Sequence, residues 1–397
     1  MTANLIVILG AVVAAILLSR PTLLKSSLWR ATVTPLASII GSGFLVLAPL
    51  LVHQFGSHAV WAMLALCLVG YWVGWAIRFN IAAIDKHGAA SSGLALRLEQ
   101  ASHIGLAFAY VISVCYYLNL FGAFALRLIW DDADTAARVV TSVTLAGIAL
   151  TGWIRGLRGL EWVETVAVAI KLTVIAALLV GMMHYTFDLS LDDALHINGG
   201  ELDQHAVRFM LGLIITVQGF ETSRYLGSAY DAETRIRTMR HAQWLATGIY
   251  VLYIGMAGFD FAASDMPPSE TAVIDMTKPI ASLLPFVLVL AALAAQLSAA
   301  VADTNGCGGL AEDMSRGKVK AKFTYVLLAG LALLLTWSAN IYEIISYASR
   351  AFAIYYALQC ALATRFSVAE SKHLHTAAFA ALTLLMLGAA IFGLPAE

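Results

Sequence analysis

Twelve runs of mostly apolar residues, each close to the length that crosses a bilayer, divide this 397-residue chain and leave it few ways to fold. Crossing the hydrocarbon core takes about 20 apolar residues as a helix. Lipid offers no hydrogen bonds, so a helix, which pairs its own amides and carbonyls, is the form such runs take. They fall near residues 3–19, 32–53, 59–79, 93–129, 136–154, 161–184, 206–230, 241–263, 280–306, 322–339, 342–364 and 374–394. The fourth is longer than a bilayer is thick, so it is expected to tilt or to begin with a re-entrant piece. Composition agrees: 60% of residues are hydrophobic and 12% charged, against about 45–50% and about 25% in a soluble domain. A soluble core cannot hide that excess. The predicted fold is an all-α polytopic membrane protein with about twelve transmembrane helices.

Charge placement gives these spans an orientation. With the N-terminus outside, the cytoplasmic loops hold eighteen of the 24 Lys and Arg residues. The outer loops hold four (Arg127, Arg138, Arg208 and Lys278), and Lys171 and Arg350 fall inside spans. A wrong span count would scatter this asymmetry, so the positive-inside rule predicts both termini extracytoplasmic, in a plasma (inner) membrane. Trp29, Trp130, Trp162 and Trp244 sit near span ends, as an interfacial belt does. The first residues lack a basic stretch, so residues 5–18 read as a retained helix, with no cleaved signal. Net charge is −1, which gives no pointer to nucleic acid. Cys67, Cys115, Cys307 and Cys360 have no metal-ligand spacing and read as reduced, small apolar residues.

Two spans carry signs of interruption. The second contains Pro35 and then Ile39-Ile40-Gly41-Ser42-Gly43-Phe44. A break there frees backbone groups that must face a polar cavity or a bound solute. The half-helix beginning near Ser42 would aim its amides at the gap, a seat for a carboxylate. The competing reading makes Gly41 and Gly43 a close helix–helix contact. The seventh span holds Thr216-Val217-Gln218-Gly219-Phe220-Glu221-Thr222, with a glycine beside a costly intramembrane carboxylate. Glu221 either faces a cavity or pairs with Arg224 three residues on. The two breaks lie about 178 residues and five spans apart. Five is odd, so the halves have opposite topology, and paired interruptions in inverted halves point to a midplane transport site. This organisation predicts residues 1–30 as an extra helix and loop, 31–200 and 201–365 as two inverted five-helix repeats, and 366–397 as a trailing helix.

These residues also carry a family resemblance. Ile40-Gly-Ser-Gly-Phe44 resembles the unwound segment in the first core helix of the amino acid–polyamine–organocation transporters. Gln218-Gly-Phe-Glu221 is similar to the segment in their sixth core helix. His87-Gly-Ala-Ala-Ser-Ser-Gly93 looks like the glycine-rich lead-in to the third, and Leu310-Ala-Glu-Asp-Met-Ser-Arg-Gly317 like the loop after the eighth. The likeness runs in order over roughly residues 31–365. One departure is Tyr230-Asp231-Ala-Glu-Thr-Arg235-Ile-Arg237, which lacks the family's usual proline; another is the additional N-terminal helix. The resemblance implies a LeuT-type five-plus-five fold with alternating access. Amides of Ser42 and Gly43, with Ile40 and Gly41, would hold a substrate carboxylate. Carbonyls around residues 218–220 would hold its amine, with Phe220 as a gate and Glu221 beside it.

Lys171 is the most informative single charge, midway along the sixth span with Glu164 on the same face. A lysine in a low-dielectric site releases its proton more readily. In proton-coupled members of the superfamily a lysine at this place in chain order replaces a sodium ion beside the first break. The other reading has Lys171 snorkelling or locked in a structural pair. Ser298 and Asp303 lie on the helix that supplies sodium ligands in sodium-coupled relatives. Asp303 is expected to pair with Lys171, to help hold sodium, or to sit solvated at a helix end. Tyr116 and Tyr117 could reach the central pocket, with Tyr116 either a substrate contact or packing. Arg350 and Glu343 are expected to pair. No HExxH, P-loop or catalytic triad pattern is present, so neither an enzyme nor a cofactor is expected. The expected partners are the bilayer, a small amino acid or amine, and a proton, with sodium or exchange transport, or a solute sensor, as the alternatives.

Overall fold

A computed structural model of the chain describes residues 2–41, 43–88, 93–127, 129–130, 134–156, 161–188, 203–227, 229–261, 269 and 271–394, with side chains in the sixth span from residue 166. All regular structure among these residues is helical. The helices are α1 (Thr2–Leu18), α2 (Pro21–Leu24), α3 (Ser27–Ile39), α4 (Gly43–Phe55), α5 (Ala59–His87), α6 (Gly93–Arg127), α7 (Asp134–Arg155) and α8 (Glu161–Asp188). After them come α9 (Gln204–Gly212), two 3-10 turns at Ile214–Val217 and Phe220–Tyr225, α10 (Ala232–Asp260) and α11 (Ala272–Thr277). The chain closes with α12 (Leu284–Met314), α13 (Ala321–Ser338), α14 (Ile341–Ala369) and α15 (His373–Phe392).

Eight of these helices are long and apolar enough to cross a membrane: α5, α6, α7, α8, α10, α12, α13 and α15. The pair α3 and α4, bent by 46° at their junction, makes a ninth. The remaining three of the twelve expected spans take other forms. Helix α1 is apolar but only 17 residues long. Helix α14 has 29 residues, but Arg350 and Gln359 interrupt its apolar stretch. The seventh span is divided into α9 and two 3-10 turns. Helix α6 runs unbroken from Gly93 to Arg127, so its excess length is not a re-entrant piece; at 1.5 Å per residue it reaches well past a hydrocarbon core of about 30 Å.

Burial sorts the helices into layers. Every residue of α4 except His53 and Gln54 is buried, the mark of a helix apolar all round and enclosed by others. Its neighbours are α5, α10, α11 and the first 3-10 turn, while α6 packs on both α12 and α14 through long buried faces. At the periphery, Ile154 of α7, Leu334 of α13 and Leu384 of α15 are each more than two-thirds exposed, a surface suited to lipid. Helix α1 packs on α8 through small residues: a Cβ on Gly10 would lie 3.2 Å from Val180, and one on Gly181 would lie 3.0 Å from Val7. All four cysteines are buried and free.

The end of α15 is fastened to α9. Leu394 N donates to the Arg208 carbonyl at 3.0 Å, and Arg208 Nε donates to the Phe392 carbonyl at 3.0 Å. From α14, Arg350 Nη2 donates to the Gly393 carbonyl at 2.8 Å. The expected Arg350–Glu343 pair is therefore not formed. Glu343 instead closes a capping box with Asn340 at the start of α14, where a carboxylate meets unpaired amides.

Candidate functional site

The first break begins where α3 runs out of amide partners. Ile40 N donates to the Leu36 carbonyl at 2.9 Å, and the helical ladder stops there. The next carbonyl, of Ala37, accepts instead from Lys171 Nζ of α8 at 2.6 Å. Two residues further on, the Ile39 carbonyl faces the Tyr250 hydroxyl of α10 at 2.8 Å. The chain becomes helical again at Gly43, so the first turn of α4 presents amides with no intrahelical partner. Ile40 and Gly41 are buried at the junction; Ser42 lies outside the described residues.

The second break centres on Gly219, whose φ of +115° is open only to glycine. Just before it, the Thr216 carbonyl faces the same Tyr250 hydroxyl, at 2.7 Å. Gln218 Nε2 donates to the Tyr117 hydroxyl at 3.0 Å, while its carbonyl oxygen has no partner. Glu221 is fully buried. Its Oε2 accepts from Gly219 N and from the Tyr356 hydroxyl of α14, each at 2.8 Å, and its Oε1 has no partner. Phe220 stacks on Tyr356 with ring centres 5.2 Å apart. Both unfilled positions around Gly219 are acceptors, so what completes them must bring donors.

The two breaks touch. A Cβ on Gly43 would come 2.9 Å from Thr216 Cα, and one on Gly219 would come 2.5 Å from the Ser38 carbonyl carbon. The glycines thus do both things proposed for them: they interrupt the helices and let the interrupted segments approach. Two small hollows lie beside the junction. One of about 20 Å³ is lined by Gly41, Lys171 and Gln296 among others, and one of about 10 Å³ by Ile39, Val217 and Tyr250 among others. Neither has room for more than about one water.

The coupling candidates separate. Lys171 is 7% exposed and turned to the break, so it does not snorkel to the interface. Asp303 is buried and accepts from Ser113 of α6; it is neither a solvated helix-end charge nor the partner of Lys171. Ser298 is buried on α12 but does not line the cavity beside Lys171. Arg224, expected as one possible partner of Glu221, pairs with Glu99 of α6 at 2.9 Å and with Gln359 of α14. The side chain of Glu164 lies outside the described residues.

Comparison with known proteins gives the family. A family described as APC superfamily transporter matches residues 21–393. The chain belongs to the APC superfamily of transporters. An uncharacterized protein of Aquifex aeolicus (strain VF5) is 37% identical over 389 residues, covering 95% of this chain and 93% of its own.

In this APC-superfamily chain two open hollows flank the breaks, one at each end of α6. At the Arg127 end a hollow of about 590 Å³ is lined by Asn119, Asp134, Thr271 and Tyr342 among others. At the Glu99 end one of about 570 Å³ is lined by Arg224, His103 and Arg316 among others. The Arg224–Glu99 pair lines the latter. Tyr116 is 1% exposed and lies against Tyr117, its ring 5.6 Å away. Tyr117 reaches the second break through Gln218. Tyr250, Tyr356 and Gln296 join Tyr117 at the junction without having stood out as site residues in the sequence. For Gln296 a signal existed, an uncharged polar residue deep in an apolar span; the tyrosines are spread among many aromatics that only pack.

Proposed function

We propose that this protein is a secondary active transporter of amino acids or related small amines, driven by protons and working by alternating access. One observation carries the reading: two interrupted spans abut, with a buried lysine on the carbonyl freed at one break and a buried carboxylate at the other. The α4 amides at Gly43 suit a carboxylate. The open acceptors of Gln218 and Glu221, over Phe220, suit an amine. Lys171 would be the coupling group, exchanging a proton as the break is remodelled; Ser298 and Asp303 would be the groups of a sodium-driven variant. The twelve-span count rests on α1, α14 and the α9 segment each crossing once. With it goes the inverted layout of residues 31–200 and 201–365, between an N-terminal helix within 1–30 and a C-terminal helix within 366–397. The cation-rich Glu99 end of α6 would then face the cytoplasm, with both termini outside a plasma membrane. In this arrangement the hollow at either end stops short of the junction, as in an occluded state.

The test is uptake of labelled amino acids and amines into liposomes under an imposed pH gradient. Accumulation that a protonophore collapses, and that Lys171→Ala abolishes without loss of fold, is the expected result. Accumulation that follows a sodium gradient alone would remove the proton. Binding without flux would favour a solute sensor.

A further inference from the structure

The cavity beside Lys171 has a second polar wall. Of the side chains lining it, only Lys171 and Gln296 are polar. Gln296 is fully buried, and neither its amide oxygen nor its amide nitrogen has a hydrogen-bond partner. Native interiors rarely leave an amide desolvated at both ends, because it gives up water on each side and gains nothing back. Lys171 has three N–H donors, and its hydrogen bond runs to the Ala37 carbonyl. A hollow of about 20 Å³ with several polar partners is what one buried water requires.

We propose that this cavity binds a single water molecule between the Lys171 ammonium and the Gln296 amide, and that Gln296 is a positioning residue for the Lys171 proton. The water accepts from Nζ and donates to Gln296 Oε1, which extends the ammonium's coordination from the broken span to α12. No other titratable group competes for Lys171 among the described side chains. Helix α1 carries none. On α12, Asp303 lies two turns beyond Gln296 and is bonded by Ser113. On α10, Tyr250 faces the Ile39 and Thr216 carbonyls, Tyr253 stacks on Phe44 of the cavity lining, and Asp260 accepts from Thr186. The nearest described titratable side chain on α8, His184, is more than three turns away.

The functional half of this proposal rests on Lys171 as the coupling group; the water site itself does not. A bridged acceptor favours the charged ammonium. Gln296→Met should therefore move the midpoint of the pH profile of driven uptake to lower pH by about one unit. Gln296→Glu should move it the other way. A purely structural glutamine would change rate or stability in both variants without opposite displacements. If both midpoints stay put while Lys171→Ala still abolishes driven uptake, the positioning role is wrong and the transport reading survives. A high-resolution map of the wild-type protein in nanodiscs tests the site independently of transport. It should show one ordered water within hydrogen-bond distance of Lys171 Nζ and Gln296; a dry cavity there overturns the proposal.

Discussion

Adding one methyl group at Gly219 challenges the contact on which the whole site depends. In Gly219→Ala the new Cβ would lie 2.5 Å from the Ser38 carbonyl carbon and 2.6 Å from Ile39 N. Both neighbours are backbone, so no flexible side chain can swing aside. The residue must also keep a φ of +115°, which strains any L-residue by about 1–3 kcal/mol. Forced overpacking adds about 1–3 kcal/mol. Together they predict a loss of about 2–6 kcal/mol, or a fall in Tm on the order of 2–7 °C for a chain of this size. The assay is thermal unfolding in detergent, followed by intrinsic fluorescence. Gly248→Ala is the matched control: it lies within α10 with nothing within 4 Å of the new Cβ, so it should leave stability unchanged or raise it by up to about 1 kcal/mol. Equal midpoints for the two variants would refute the contact between the breaks.

Other perturbations report on the same network. Tyr250→Phe removes the hydroxyl facing the Ile39 and Thr216 carbonyls and should cost about 1–3 kcal/mol of stability in the same melt. Tyr356→Phe takes one of two donors from Glu221 Oε2; it should weaken thermal stabilisation by an amine solute more than it lowers the unliganded Tm. Arg224→Met leaves Glu99 without its partner and should cost on the order of 3 kcal/mol. Adding Glu99→Gln should recover part of that loss, as a double-mutant cycle on Tm would show. In the Arg224→Met background, His103→Cys should react faster with a water-soluble maleimide, because the ion pair lining the Glu99-end hollow beside it is gone.

The interruptions were legible because glycines inside apolar runs have few other uses, and an intramembrane Glu or Lys advertises its cost. Lys171 and Glu221 stood out for that reason. The partners of those charges were not legible. Spacing permits Glu221 to meet Arg224, yet in the folded chain each finds better-aimed groups on α6 and α14. Tyr116 and Tyr117 look alike in sequence, and only the roughly 100° turn between neighbouring helical residues decides which reaches Gln218. Gln296 escaped attention because a single neutral amide lowers the apolarity of a span very little. The Arg350–Glu343 expectation failed for a different reason: the segment after α15 supplies carbonyls that take the guanidinium, while the start of α14 claims the carboxylate.

The phenol of Tyr250 has a single hydrogen to offer and two oxygens competing for it, one on each half of the molecule's centre. Its loyalty can pass from Ile39 to Thr216 by a small rotation of the O–H, with about as much bonding after as before. Such a pivot resists separation of the two segments but not their sliding past each other. At the place where a rocking motion would need to begin, the chain has put a swivel in place of a bolt.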